Sequence, residues 1–337
     1  MLTTPLEILP ETIYVKNLKT KLANKFFFTY TKYMLDLICL GTVSIDLYYK
    51  GVSLTEEGGR FALAIGGKYY VDHFYEGLGG GGANVAIGVA KTGLSVGIIA
   101  KIGDNPFKPM ICKKLDTAHI IYDEFCDIEE KYMNISSILL NSQGEKTIVN
   151  YRTPDEIMMK CENDFNKIQK ASAIYMANLS TVSLDERIKI LSYAKTNKKK
   201  IFANLNVTDC RRPINEILRF VEQTDILIIN AYEYADIVKV SYDAIDFHSN
   251  IMEKFVHFTN NLVLVITDGK KGSYAYHKSK LYYQEAILPK KVLDTTGAGD
   301  AYTAAFIAEY IRSKSIEEAM KKGAHYAVDI LSRFGAN

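Results

Sequence analysis

The run Asp294-Thr295-Thr296-Gly297-Ala298-Gly299-Asp300 puts acids, hydroxyls and glycines directly ahead of a helix-like stretch, Ala301 to Arg312. Glycines just before a helix leave backbone N–H groups free, and the helix N-terminus carries partial positive charge. Together they form an anion hole suited to a phosphoryl group passing between two oxygens. An acid at the helix start, Asp300, can accept the proton of an attacking hydroxyl. The helix dipole is expected to keep that carboxylate ionised. A plain helix cap with turn glycines would produce the same letters.

Four other segments hold polar groups at plausible strand or helix ends. In Leu78-Gly79-Gly80-Gly81-Gly82-Ala83-Asn84, glycines let backbone approach a polar ligand, and Asn84 offers donor and acceptor to a hydroxylated compound. Gly41-Thr42-Val43-Ser44-Ile45-Asp46 follows the first strand, where ligands of open α/β sheets bind. There Asp46 could accept hydrogen bonds from vicinal hydroxyls, or simply cap a turn. Asn230 and Glu233 could hold water around a magnesium ion, or form a helix capping pair. Thr267 to Gly272 suits phosphates by its hydroxyl, glycine backbone and lysines, and an ordinary turn looks similar.

Gly77, Gly79 and Gly82 also satisfy GxGxxG, the dinucleotide fingerprint of an NAD-dependent oxidoreductase. That fingerprint belongs after a buried first strand. Here the preceding residues, Asp72 to Glu76, are polar, and the reading leaves Asp294 to Asp300 without a task.

The elements that must position these groups follow from patterning. Leu35 to Leu40 and Val96 to Ile102 read as buried strands, and Ala83 to Lys91 as a helix. Ile135 to Leu140 and Lys146 to Tyr151 flank a Gly-containing loop, a hairpin signal. From Ala173 onward strand and helix alternate: strands at 173–176, 200–205, 225–229 and 262–267, helices at 184–195 and 214–223. That rhythm predicts βαβ units on a parallel sheet covered by helices. The β-rich pieces at about 48–76 and 132–151 are expected to meet as a small separate sheet, a lid. Residues 1–33 are expected to be a peripheral extension, or the product of a start codon placed upstream of Met34.

A net charge of +2 argues neither for nucleic acid nor for a membrane surface. The apolar runs fall short of a membrane span. Five scattered cysteines, an odd number without CxxC spacing, fit a reduced cytoplasmic protein better than a disulfide framework or zinc site.

Taken together and in this order, the segments resemble the PfkB/ribokinase family of carbohydrate and nucleoside kinases, over roughly residues 35–337. Gly79 to Asn84 and Asp294 to Asp300 are the most specific parts. The resemblance implies a ribokinase-like, doubly wound α/β fold with a mostly parallel sheet and a small β-sheet lid. It implies Asp300 as catalytic base and Gly297, Ala298 and Gly299 as the anion hole. Asp46, Gly80, Gly81 and Asn84 would hold the acceptor. Asn230, Thr267, Gly269, Gly272 and Gly299 would line ATP, with Glu233 acting on Mg²⁺ through water. Asp294 and the Thr296 carbonyl fall where relatives bind a monovalent cation, commonly K⁺. Arg152, at the end of the lid hairpin, could meet a phosphate on the acceptor or be solvated. Two departures concern the acceptor: Asn178 stands where ribokinases carry Glu, and Asn204-Leu205-Asn206 has Asn where many sugar kinases carry Asp.

The expected activity is ATP-dependent phosphorylation of a sugar-like small molecule. A nucleoside kinase is the alternative, and a non-catalytic ligand sensor on the same scaffold a more distant one. A homodimer formed by pairing lid edges is a further expectation.

Overall fold

A computed structural model of the protein describes residues 34–154, 158–249, 251, 261–289 and 296–332. The expected extension at 1–33 and Asp294 lie outside the described residues. The first half runs β1 (Leu35–Leu40), β2 (Ser44–Lys50), β3 (Glu56–Glu57), β4 (Arg60–Phe61), β5 (His73–Gly79), α1 (Gly81–Ala90), β6 (Val96–Ile99), β7 (Lys101–Gly103), α2 (Lys108–Thr117), β8 (Asp127–Glu129), β9 (Asn134–Leu140) and β10 (Lys146–Arg152). The second half runs α3 (Glu162–Ile168), β11 (Ala171–Met176), α4 (Leu184–Thr196), β12 (Lys200–Ala203), α5 (Val207–Cys210), α6 (Ile214–Val221), β13 (Ile226–Asn230), α7 (Ala231–Val238), β14 (Val263–Thr267), β15 (Ser273–His277), β16 (Lys280–Gln284), α8 (Ala298–Ser313) and α9 (Ile316–Leu331).

The main sheet has eight strands in the order β16-β15-β14-β13-β12-β11-β1-β6. Strands β6 through β14 pair in parallel, and β15 and β16 add an antiparallel edge. Parallel strands are buried on both faces, which is why their sequences read as continuous apolar runs. Alternate side chains enter two separate cores. Ile38, Leu40, Ile174 and Met176 pack with Ile190, Leu191 and Ile217 on one face. Leu37, Cys39, Ala173 and Tyr175 pack with Ala83, Phe306 and Ile307 on the other.

A second sheet, β10-β9-β2-β5, joins two distant stretches of chain. Its β2 pairs antiparallel with β5 and parallel with β9. Two expectations need correcting. Val96 to Ile102 is not one strand: it breaks after Ile99, and β7 leaves the main sheet to pair with β8. Asp46 is not in the turn after β1 but inside β2 of the second sheet. Of the GxGxxG glycines, Gly77 and Gly79 lie within β5, an antiparallel strand whose first four residues are exposed, and the motif does not follow a buried parallel strand. That placement removes the structural basis of the dinucleotide reading.

The corner between the two sheets is held by backbone-on-backbone contact. A β-carbon on Gly41 would lie 2.5 Å from the Gly82 Cα, and one on Gly82 would lie 2.6 Å from the Gly41 Cα. Only glycine at both places lets α1 start against the end of β1.

Candidate active site

Asp300 is the third residue of α8. Gly297 is the N-cap with φ 77°, a left-handed conformation that glycine adopts without cost. The first intrahelical bond runs from the Ala301 N–H to the Gly297 carbonyl, 2.8 Å. The amides of Ala298, Gly299 and Asp300 therefore have no acceptor inside the helix. No side chain caps this end. A β-carbon on Gly299 would meet nothing within 4 Å, so the backbone there faces open space.

The start of α1 meets the start of α8 through one bond. Asn84 Nδ2 donates to Asp300 Oδ2 at 2.7 Å, across 216 positions of sequence. Gly81 is nearby: a β-carbon on it would lie 3.9 Å from Asp300 Oδ1. Burial pushes the Asp300 carboxyl up to about 6, the neighbouring Asp46 charge adds to that, and the Asn84 donor opposes it. Desolvation outweighs the Asn84 donor. The result is a carboxylate that is charged at neutral pH yet basic enough to hold a proton just below it.

Asp46 is buried, and the Ser44 hydroxyl donates to its Oδ1 at 3.2 Å. Its carboxylate lies against Gly79, where a β-carbon would sit 2.1 Å from Oδ2. Gly80 has φ 93°, and a β-carbon there would come within 2.4 Å of the Thr42 carbonyl oxygen.

Asp300 and Gly299 open onto a polar cavity of about 310 Å³, whose wall includes Gly81, Arg152, Asn178, Asn204 and Glu233. Arg152 reaches it from β10 and is steadied by a 3.1 Å bond from its Nη1 to the Ser180 hydroxyl. It borders the site and is itself exposed, so the solvated reading and a contact with the acceptor both stand. Asn204 turns its Nδ2 to the Ile228 carbonyl at 2.8 Å.

Asn230 and Glu233 form a reciprocal capping box at the start of α7. The Asn230 side chain accepts from the Glu233 amide and the Glu233 carboxylate accepts from the Asn230 amide, both at 2.8 Å. The capping reading is therefore correct, and both residues still line the cavity. Burial pushes the Glu233 carboxyl up to about 7, with Asp236 adding to the rise and the Asn230 donors opposing it. The oxygens of Asn230 and Glu233 suit a hard cation that keeps most of its water, and such a cation would favour the ionised carboxylate that burial disfavours. Among the described residues no cluster of three or more His, Cys, Asp or Glu could enclose a metal.

A second, mostly apolar cavity of about 460 Å³ adjoins the first and shares Thr267 and Gly299 with it. Gly269 and Gly272 line it at the turn after β14, with φ 51° and 98°. A β-carbon on Gly272 would lie 2.2 Å from the Gln284 carbonyl, so only glycine fits this turn. The rest of the wall includes Ile287, Leu288 and the α9 residues Ala324, Ala327, Val328 and Leu331.

Among the sequence-predicted residues, Gly81, Arg152, Asn230, Glu233, Thr267, Gly299 and Asp300 border the polar cavity. Asp46, Gly80 and Asn84 support it from behind; Gly297 and Ala298 shape the helix start. Thr296 accepts a hydrogen bond from Lys146 of β10, and its proposed partner in cation binding, Asp294, is outside the described residues. Sequence reasoning missed Thr42, Tyr175 and Thr303 in the polar cavity, and the whole α9 wall of the apolar one. Thr303 had a signal, since it stands three residues after Asp300 on the same helix face. The α9 residues repeat at helical spacing, a pattern that core packing produces equally well.

The pfkB family carbohydrate kinase model matches residues 34–337. The chain is 30% identical over 279 residues to the 5-dehydro-2-deoxygluconokinase of Bacillus subtilis, covering 77% of this chain and 82% of that protein. It is 27% identical over 308 residues to a probable chloroplastic fructokinase of Arabidopsis thaliana, covering 86% and 75%. The Arabidopsis thaliana ribokinase complexed with ribose and ATP superimposes with a TM-score of 0.73 at 21% identity, covering 89% of this chain and 94% of that one. With the fold, the paired cavities and this match spanning nearly all the described chain, the protein belongs to the pfkB family of carbohydrate kinases.

Proposed function

We propose that this enzyme transfers the γ-phosphoryl group of ATP to a hydroxyl of a sugar or sugar acid, with Asp300 as general base. One observation carries the assignment: a carboxylate held by Asn84 at 2.7 Å beside the open amides of α8, where a polar and an apolar cavity meet. The acceptor occupies the polar cavity and the nucleotide base the apolar one, which puts the phosphates at Thr267 and Gly299. Asp300 takes the hydroxyl proton as the oxygen attacks phosphorus. The amides of Ala298, Gly299 and Asp300 stabilise the charge on the transferring group. The second sheet acts as the lid that shields the reaction from water. Mg²⁺, held through water by Glu233 and Asn230, would supply countercharge to the phosphates.

Polar groups dominate the acceptor cavity, and among the described residues its aromatic lining is Tyr175. That favours a polyhydroxylated acceptor over a nucleoside, whose base would call for stacking surfaces. Arg152, the cation in this wall, suits an acceptor bearing a carboxylate or phosphate. The similarity to 5-dehydro-2-deoxygluconokinases supports a sugar acid first.

The deciding experiment follows ATP consumption with 5-dehydro-2-deoxygluconate, fructose, ribose, adenosine and inosine. Turnover dependent on one of the first three is expected. Turnover with the nucleosides alone would replace the sugar reading, and binding without any phosphorylated product would remove the kinase reading.

Two copies pairing through the lid is part of the same proposal. β5 is an edge strand of that sheet and leaves Phe74 and Tyr75 exposed.

A further inference from the structure

Lys146 is the first residue of β10, and its ammonium donates to the Thr296 hydroxyl at 2.5 Å, across 150 positions of sequence. Thr296 immediately precedes Gly297, the N-cap whose left-handed backbone aims the open amides of α8. The lysine leaves a well-defined hairpin. The Asn141 side chain accepts from the Gln143 and Glu145 amides at 3.0 and 2.8 Å, and Asn141 itself is buried. Lys146 then pairs with Leu140 in the antiparallel ladder. A cation on a fixed arm of the second sheet thus rests on the turn that shapes the anion hole.

We propose that Lys146 is a positioning residue that ties the lid to the anion hole, setting the Thr296–Gly297 turn only when the lid is seated. This rests on the kinase reading above and deepens it. When the lid lifts, Lys146 is carried away from the Thr296 hydroxyl and the turn loses that tether, so the amides lose their common aim. When the acceptor draws the lid down, the same bond restores it. Phosphoryl transfer is thereby coupled to the presence of acceptor, which protects ATP from water. The positive charge brought by Lys146 also sits one residue from the helix end that receives the phosphoryl group.

The test uses K146M, K146R, T296V and the K146M/T296V double variant of the full chain. K146M is expected to lower kcat about 10–100-fold while KM for ATP and sugar move less than about 3-fold. K146R should recover to within about 3-fold of the unaltered enzyme, and the double variant should be no worse than the poorer single one. Hydrogen exchange supplies the second readout. With adenylyl imidodiphosphate and the accepted sugar, the amides of residues 298–300 should gain protection in the unaltered protein and not in K146M. A K146M enzyme with unchanged kcat, equal protection in both proteins, or multiplicative losses in the double variant would each overturn the proposal. If the unaltered protein turns over no sugar at all, the kinase reading fails separately. Exchange in the ligand-free proteins, where the Lys146–Thr296 bond is present, still decides the role of Lys146: amides 298–300 should exchange faster in K146M, and equal rates would overturn it.

Discussion

With its carboxyl lifted to about 6, Asp300 holds a proton below that pH and cannot take one from a sugar hydroxyl. Activity is therefore expected to rise with pH through a limb near 6, read from kcat/KM profiles at saturating Mg²⁺, where the cation keeps Glu233 charged. Asn84 donates to the ionised form, so N84A should move that limb to higher pH; an unmoved limb would separate Asn84 from the base. D300N should lower kcat about 10²–10⁴-fold. It should also stabilise the fold. A carboxyl whose pKa is raised by folding favours the native state fully below its unfolded value of about 4 and loses that contribution as pH rises to about 6. Removing the charge should thus add about 1–3 kcal/mol in denaturant melts at pH 8, and little at pH 4.

Two glycines at the ends of elements separate what the fold needs from what the chemistry needs. Gly82 starts α1 against the Gly41 backbone, which cannot yield as a flexible side chain would. G82A is expected to cost about 1–3 kcal/mol by urea denaturation, whatever its effect on rate. Gly299 has open space where a methyl would go, and that space is the seam between the two cavities. G299A should leave the melting midpoint unchanged while lowering kcat/KM about 10–100-fold, because the methyl would occupy the path of the phosphoryl group. Loss of stability in G299A, or full activity, would contradict this placement of the anion hole. The helix starts also explain the reading errors at this scale. α8 begins at Ala298 and not after Asp300, because Gly297 accepts the first helical bond through a left-handed turn that residue patterning does not reveal.

Across the whole molecule, stability and assembly rest on features remote from the cavities. Arg187 and Asp209 form a buried ion pair at 2.8 Å between α4 and α5, and two of the arginine's nitrogens, Nε and Nη1, find no hydrogen-bond partner among the described residues. Such a pair is costly to break, since the guanidinium would stay buried without its countercharge. D209A should lower unfolding free energy by about 3–5 kcal/mol, measured by guanidinium melts. If two copies pair along β5, sedimentation should report a dimer, and a proline at Tyr75 should return it to monomer without unfolding the main sheet. A monomer at all concentrations would remove that part of the proposal.

Local chemistry in the chain was enough to determine the class of fold and to single out Asp300 as the candidate base. Continuous apolar runs alternating with helices point to a covered parallel sheet, and a glycine turn ending in an acid at a helix start offers free amides beside a carboxylate, though a plain helix cap reads the same. The Asn178 and Asn204 departures were legible too, and both residues border the acceptor cavity. The tertiary structure alone decided that Asp46 belongs to a strand of the second sheet, that Asn84 reaches Asp300, and that Lys146 reaches Thr296. It also set the direction in which the Asp300 carboxyl shifts, through its burial, the Asn84 donor from α1 and the Asp46 charge from β2. Those contacts join residues 150 and 216 positions apart, and nothing in local spacing encodes which distant backbone a side chain will meet.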